Sequence, residues 1–278
     1  MRYKIIADSA CNLLPSDIQE PEIRFDVAPM TLTVGEENFK DDGSLSPAAF
    51  LEKLKGFKGK TGSACPSPYE YMSRMTDADY YIIITIASKM SGSYNAAMVA
   101  KNSYERPENV FVIDSRLTGG TMELMIRKAI ALIKQKISFE ELQKEMNEYC
   151  LSMRFVFELA HYNNLVANGR VAKLIAMLAE KLKIKTICIA EDGHIELKEK
   201  LRSQSLVIRR LIHHVKKCNP DPDFSNKTCI ISHTNNLLGA KEVKAKLEEE
   251  CNFKEILIHE NKLLCSYYAE QDGIMICY

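Results

Sequence analysis

The chain has 278 residues, a length more typical of two globular domains than of one. It contains 46% hydrophobic and 27% charged residues, as expected for a folded protein with a sizeable core. Lysine plus arginine equals aspartate plus glutamate at 37 each, which excludes a bulk basic field for nucleic acid or an anionic membrane surface. Any anion that the protein binds must therefore be held by a local site.

The apolar stretches and the cysteines indicate a protein without membrane insertion. No stretch approaches the roughly 18 apolar residues of a membrane-spanning helix. The brief apolar run after Met1 is a strand and not a signal peptide. The nine cysteines are odd in number, include no Cys-x-x-Cys pair and mostly lie inside apolar runs. We therefore expect reduced thiols and a cytoplasmic location.

The first half of the chain alternates strands and helices. The continuous β-branched run Tyr80–Ile86 is typical of a strand buried on both faces of a parallel sheet. This alternation predicts an α/β fold with a doubly wound, mostly parallel sheet. Strands are expected at 3–7, 80–86 and 109–113, an extended segment at 23–34, and helices at 47–55, 68–75, 91–104, 118–135 and 139–150.

The second half mixes hairpins with helices. Residues 191–194 form a hairpin-type turn, which indicates a partly antiparallel, mixed sheet. We place a domain boundary near residue 155, giving an N-terminal α/β domain (1–155) and a C-terminal α/β domain (156–278). Strands are expected at 153–159, 185–190, 195–197, 228–232, 255–258 and 273–277, and helices from 170 to about 182, at 203–217 and at 236–251.

Two serine-rich segments precede predicted helices. The first contains Thr61 and Ser63 in a loop that ends in a serine N-cap followed by proline. The second follows strand 80–86 and contains Ser91 and Ser93. Hydroxyls and free N–H groups near helix starts favour an anionic group such as a carboxylate or phosphate.

Hydroxyl-bearing turns also follow two other predicted strands, at Asp8-Ser9 and Asp114-Ser115. Ligands of doubly wound sheets bind at the carboxyl ends of the strands, so these turns should share one edge with the second serine segment. That edge carries no strong base, and a catalytic serine needs one. The residues therefore favour anion binding over catalysis.

Catalytic and metal-binding motifs are scarce. The chain has no G-x-S-x-G, P-loop or G-x-G-x-x-G motif, and its six histidines lack metal-ligand spacing. Asp8 could be an aspartyl nucleophile, but residue 10 is alanine where a second carboxylate would be wanted, and an Asx turn explains Asp8 better. Arg170 could form a surface ion pair or belong to a site. We expect no catalytic residues, no metal and no cofactor.

The ordered set of motifs resembles the DegV family over nearly the whole chain. The matching segments are 4–12, 63–68, 91–97, 114–115, 168–171 and 192–202. The resemblance implies a bacterial fatty-acid-binding protein whose acyl chain, for example palmitate, lies in a tunnel between the two domains. It also implies that hydroxyls hold the carboxylate and that some members present the acid to a separate fatty-acid kinase subunit.

The resemblance also implies site residues. It puts Ser63 on the carboxylate, with Thr61 as the alternate register, together with either Ser91 or Ser93. It matches Arg170 to an arginine near the head group. The ligand-binding set is completed by the rim hydroxyls of Ser9 and Ser115.

One segment departs from the family pattern. The family usually carries His-Thr-Gly-Pro-Gly before the last strand, whereas this chain has residues 266–270 there, with Ser266 taken at the histidine position. This leaves the kinase partnership open and leaves simple lipid binding intact. The alternatives are a hydrolase or phosphotransferase acting at Asp8, Ser63 and Ser93, and a regulatory interaction module.

Overall fold

A computed structural model describes residues 2–171 and 184–278. Its strands form three sheets. In chain order they are β1 (Tyr3–Asp8), β2 (Ile23–Ala28), β3 (Thr31–Val34), β4 (Glu37–Lys40), β5 (Thr61–Ala64), β6 (Tyr80–Thr85), β7 (Val110–Asp114), β8 (Phe155–Leu159), β9 (Lys185–Glu191), β10 (His194–Leu201), β11 (Thr228–His233), β12 (Glu255–Glu260) and β13 (Ile274–Cys277).

The helices lie between these strands as an α/β fold requires. In chain order they are α1 (Pro47–Leu54), α2 (Pro68–Met72), α3 (Ser93–Asn102), α4 (Gly120–Lys134), α5 (Phe139–Ser152), α6 (Asn163–Ala167), α7 (Gln204–Cys218), α8 (Leu237–Glu250) and α9 (Leu263–Ala269). The helix predicted from 170 to about 182 lies outside the described residues, apart from its first two positions, which form a turn.

The first sheet has the order β2-β1-β6-β7, and all of its pairings are parallel. Its strands are apolar on both sides because α2 and α3 cover one face while α4 and α5 cover the other. The parallel pairing brings the carboxyl ends of β1, β6 and β7 to one edge. The predicted shared edge of hydroxyl-bearing turns is therefore present.

The second sheet is mixed, with the order β10-β9-β8-β13-β11-β12 and one parallel pair, β11 with β12. Its outer face packs against α7 and α8, and its inner face turns towards the first sheet. A β-bulge lies between Leu197 and Glu199 of β10. These sheets confirm the predicted fold class, and the domain boundary near residue 155 stays a prediction.

A third, small sheet corrects one expectation. Residues 61–64, predicted as loop, form strand β5, which pairs antiparallel with β3 so that Val34 faces Thr61 and Leu32 faces Ser63. The sequence Thr-Gly-Ser-Ala has no local strand pattern. The strand exists because β3, about thirty residues earlier, supplies its hydrogen bonds.

Helix α9 was not expected, and it joins the two halves of the chain. The Asp41 carboxylate accepts hydrogen bonds from the N–H groups of Leu263 (3.0 Å) and Leu264 (3.1 Å), which are otherwise unpaired at the helix start. Asn12 accepts a third from Lys262 N–H at 2.5 Å. Residues from the N-terminal half therefore cap a helix that lies just before the last strand.

We expect Asp41→Ala to lower the free energy of unfolding by about 2–4 kcal/mol, because two buried N–H groups lose their acceptor. Denaturant unfolding would measure this change. Asp42→Ala is the matched control, since the Asp42 carboxylate is exposed and accepts a hydrogen bond from the nearby Ser44 N–H. Equal losses for the two variants would contradict the role given to Asp41.

Candidate functional site

A cavity of about 320 Å³ lies between the inner face of the six-stranded sheet and the loops at the edge of the first sheet. This is the size of a small-molecule site. Most of its wall is apolar: Met30, Ala64, Ile86, Met90, Phe155, Phe157, Leu159, Leu165, Ile195, Leu264, Ala269 and Met275. Its polar side chains among the described residues are Ser63, Cys65, Ser91, Thr118, Arg170, Cys265 and Tyr268.

Strand β5 and helix α9 meet through two pairs of hydroxyls. Side chains alternate along a strand, so Thr61 and Ser63 point to the same side of β5. The Thr61 hydroxyl lies 2.8 Å from the Tyr267 hydroxyl, and the Ser63 hydroxyl lies 2.7 Å from the Tyr268 hydroxyl. Of these four side chains, Ser63 and Tyr268 line the cavity, and Tyr267 is fully buried behind them.

The second serine segment reaches the same cavity at the start of α3. Ser91 lines the cavity, and its hydroxyl accepts a hydrogen bond from Ser93 N–H at 3.3 Å. Ser93 is fully buried, with its hydroxyl 3.2 Å from that of Ser91. A Cβ at Gly92 would lie 3.2 Å from the Cys65 sulfur, so glycine lets the two serine segments approach closely.

Asp8 holds the edge of the first sheet together behind these serines. Its fully buried carboxylate accepts hydrogen bonds from Ala10 N–H (3.1 Å) and Ile86 N–H (2.9 Å), which confirms the Asx turn and adds a link to β6. Burial raises the pKa of Asp8 to about 7, although these N–H groups and the nearby Ser93 and Tyr71 hydroxyls lower it in part.

Arg170 is positioned by the end of helix α6. Gly169 has a φ of +68°, and Arg170 N–H donates to the Leu165 carbonyl at 2.9 Å, the pattern of a Schellman cap. Side chains of α6 fix the helix to α9: Asn164 donates to the Tyr267 carbonyl, and Asn168 donates to the Tyr267 hydroxyl, each at 2.8 Å. Arg170 is exposed and is the one charged cavity-lining side chain among the described residues.

The remaining predicted hydroxyls serve the backbone. Ser9 accepts from Met30 N–H at 3.1 Å, and Ser115 donates to the Leu117 carbonyl at 2.9 Å. Both are buried, and neither is among the residues that line the cavity. Their predicted part in ligand binding, like that of Thr61 and Ser93, would have to be indirect.

Ser266 occupies the position given to the family's histidine. It does not face the cavity: it is fully buried and donates to the Asn261 carbonyl at 3.0 Å. The residue of segment 266–270 that meets Ser63 is Tyr268, which sequence analysis missed because α9 itself was missed. The available signal was the nearly continuous apolar run of residues 263–269, which is typical of a buried element.

Within 2–171 and 184–278, no group of three or more His, Cys, Asp or Glu side chains is arranged to hold a metal ion. Over the same residues, no helix is both long and apolar enough to cross a membrane.

Comparisons with known proteins identify relatives over the full length. The model of the family described as "Uncharacterised protein, DegV family" matches residues 2–278. A "DegV domain-containing protein" of Streptococcus pyogenes serotype M1 is 34% identical over 282 residues, covering 100% of this chain and 99% of the relative.

Solved structures give the same result. The Streptococcus pneumoniae Fatty Acid Kinase (Fak) B3 protein loaded with linoleic acid is 32% identical, with a TM-score of 0.92 over 100% of this chain and 99% of that one. A DegV family protein from Eubacterium eligens loaded with heptadecanoic acid is 29% identical, with a TM-score of 0.90 over 99% and 98% of the two chains.

Asp8 should make stability depend on pH. Its pKa of about 7 in the folded state lies above the ordinary value of 3.8. Between pH 3.8 and about pH 7 the folded state therefore binds this proton more tightly than the unfolded state does, and the free energy of unfolding falls as the pH rises through that range. In Asp8→Asn this dependence should be lost. Denaturant unfolding of both proteins at pH 5 and pH 8 should show the wild type losing on the order of 2 kcal/mol relative to the variant. If the two proteins differed in stability by the same amount at both pH values, the raised pKa of Asp8 would be contradicted.

Proposed function

The chain belongs to the DegV family, and on that premise we propose that it binds a long-chain fatty acid in the cavity between its two larger sheets. The observation that carries the proposal is the cavity itself, whose described lining is mostly apolar and also includes hydroxyls and one guanidinium. Relatives of the same fold have been crystallised loaded with linoleic and heptadecanoic acids. The apolar lining matches the acyl chain of such a ligand, and the polar side chains match its carboxylate.

The apolar wall would supply most of the affinity. Burying one CH₂ group contributes about 0.8 kcal/mol, so roughly 14 methylenes contribute on the order of 11 kcal/mol before the costs of binding. The methionines Met30, Met90 and Met275 in the wall have flexible, polarisable side chains that adapt to a bent or straight chain.

The carboxylate would be held by Ser63, Ser91, Tyr268 and Arg170. Three hydroxyl donors and one cation suit a single negative charge that still needs strong hydrogen bonds after leaving water. Thr61 and Ser93 would act behind this layer, because Thr61 holds Tyr267 and Ser93 holds Ser91. We therefore propose Ser63 in preference to Thr61, and Ser91 in preference to Ser93, as the direct contacts of the carboxylate.

We infer that the protein carries out no chemistry of its own. The Asp8 carboxylate is occupied by two backbone N–H groups and is sealed from the cavity, which makes it a poor nucleophile. Ser63 is paired with a tyrosine hydroxyl where a catalytic serine needs a base. A hydrolase or phosphotransferase at Asp8, Ser63 and Ser93 is thus the less favoured function.

A separate kinase subunit and a cytoplasmic location complete the proposal. The relative from Streptococcus pneumoniae is described as the B3 protein of a fatty acid kinase, and it aligns with all of this chain. All nine cysteines are free, as suits a reducing compartment. The bound acid would be presented to the kinase with its carboxyl group at the Ser63–Ser91 end of the cavity.

Mass spectrometry of an organic extract tests the proposal directly. The protein, purified from a bacterial host without added lipid, should release a long-chain fatty acid in about equimolar amount. A clean extract, combined with failure to bind added palmitate, would rule out fatty-acid binding. Turnover of an ester or phosphate substrate by the same sample would favour the enzymatic alternative.

Tyr268→Phe should weaken fatty-acid binding by about tenfold, because one hydrogen bond to the carboxylate is lost while the ring remains. Isothermal titration with palmitate would measure the affinity. Tyr267→Phe is the matched control: its hydroxyl bonds to Thr61 and Asn168 outside the cavity, so stability should fall more than affinity. A larger loss of affinity in Tyr267→Phe than in Tyr268→Phe would contradict a contact between Tyr268 and the carboxylate.

The double variant Ser63→Ala, Ser91→Ala should lose at least tenfold in palmitate affinity while retaining its fold, because two hydroxyls that face the cavity are removed. Ser205→Ala serves as control, since that exposed hydroxyl pairs with the Ser203 hydroxyl on the far side of the second sheet. Unchanged affinity in the double variant, with circular dichroism like that of the wild type, would show that the carboxylate lies elsewhere.

A further inference from the structure

Glu270, the residue that follows helix α9, accepts two hydrogen bonds from the start of helix α6. Its carboxylate accepts from the backbone N–H of Asn164 at 2.8 Å and from the side-chain amide of Asn163 at 3.0 Å. Tyr162 occupies the N-cap position of α6, where a serine, threonine, aspartate or asparagine would usually supply the acceptor. The first turn of α6 therefore takes its cap from a residue 106 positions further along the chain.

The backbone of Glu270 is strained. Its φ is +53° and its ψ is −172°, a combination that glycine adopts readily and that is unfavourable for a residue with a Cβ atom. Glycine at this position would relieve the strain, but it would carry no carboxylate for α6. Strain of this kind persists where the surrounding contacts hold it, which points to a role for the glutamate side chain.

Helix α6 depends on α9 for its position. It has five residues, too few to be stable by itself. The side chains of Asn164 and Asn168 donate to the carbonyl and the hydroxyl of Tyr267, each at 2.8 Å, while Leu165 packs into the core. Together with the cap from Glu270, these contacts attach both ends of α6 to α9.

The second end of α6 leads directly into Arg170. The N–H groups of Gly169 and Arg170 donate to carbonyls of the last turn of α6, at 3.0 and 2.9 Å, so the backbone of Arg170 moves with that turn. The guanidinium lines the cavity from this backbone. A guanidinium on a fixed backbone loses less conformational entropy when it pairs with a carboxylate.

We propose that Glu270 is a positioning residue for Arg170: by capping α6, it holds the guanidinium where it pairs with the carboxylate of the ligand. This inference rests on the proposed binding of a fatty acid. It assigns to Glu270 a part in the preference for an acid over an uncharged lipid with the same chain, although Glu270 itself contacts α6 and not the ligand.

Glu270→Gly tests the proposal, because it removes the carboxylate and relieves the strained backbone at the same time. Glu270→Gln is the rescue variant, since its amide oxygen can still accept from Asn164 N–H. The matched control is Gln271→Ala: Gln271 is exposed, and its amide hydrogen-bonds with Asn235 and Asp272 instead of α6. Dissociation constants for palmitic acid and for the alcohol with the same chain would be measured by displacement of a fluorescent fatty acid.

The expected result is a loss that is specific to the acid. Glu270→Gly should weaken binding of palmitic acid roughly threefold to tenfold, part of the loss expected for one hydrogen bond to a charged group, and should change binding of the alcohol by less than about twofold. Glu270→Gln and Gln271→Ala should bind both ligands nearly as the wild type does. Combined with Arg170→Ala, Glu270→Gly should cause no further loss for the acid, because the guanidinium that it positions is absent.

The outcomes separate this inference from the function on which it rests. A wild type that binds neither ligand contradicts the proposed function. If the wild type binds the acid but Glu270→Gly weakens acid and alcohol equally, the change in the cavity is a general one and the role of Glu270 is overturned. The same loss of acid affinity with and without Arg170→Ala would overturn it too. If Glu270→Gly does not fold, Glu270→Asp, whose shorter side chain holds the carboxylate further from α6, should give a smaller loss that is again specific to the acid.

Discussion

The attachment of α9 to the N-terminal half of the chain is the interaction on which the cavity depends. Two N–H groups at the start of α9 donate to Asp41, more than two hundred residues earlier in sequence. A buried helix start must have such acceptors, because unpaired N–H groups are costly away from water. Leu264, Cys265, Tyr268 and Ala269 of this one helix then form part of the cavity wall. One carboxylate thus fixes the place of a whole side of the site.

The hydroxyls in the cavity lining are supported by a second layer of buried hydroxyls. The inner layer faces the cavity, and the outer layer holds it: Ser93 lies against Ser91, and Tyr267 lies beside Tyr268. Outside the second layer stands Asp8, which ties β1 to β6 through backbone N–H groups. Such an arrangement orients weak donors before a ligand arrives, which lowers the entropy lost on binding. It also explains why so many hydroxyls of the chain cluster at one edge without a catalytic base.

The sequence predicted those parts of the fold whose signals are local. The β-branched run at Tyr80–Ile86 and the apolar spacing of residues 118–135 identify a strand and a helix by themselves. Strand β5 and helix α9 were not predicted because the groups that stabilise them lie far away in sequence. Strand β5 pairs with β3, and helix α9 is capped by Asp41. Tyr268 was missed for the same reason. The serines could be anticipated because they follow strands whose carboxyl ends share an edge.

The bulge in β10 has a consequence for the surface of the protein. Before the bulge, Ile195 and Leu197 face the inner side of the sheet, and after it Glu199 faces α7, where it pairs with Arg210 and His214. β10 is an edge strand, and an edge with free N–H and C=O groups invites pairing with another chain. The bulge bends this edge, and the charged side chains along it, Glu196, Lys198 and Lys200, disfavour pairing with a second strand. The strand that contributes Ile195 to the cavity wall is thereby protected against aggregation.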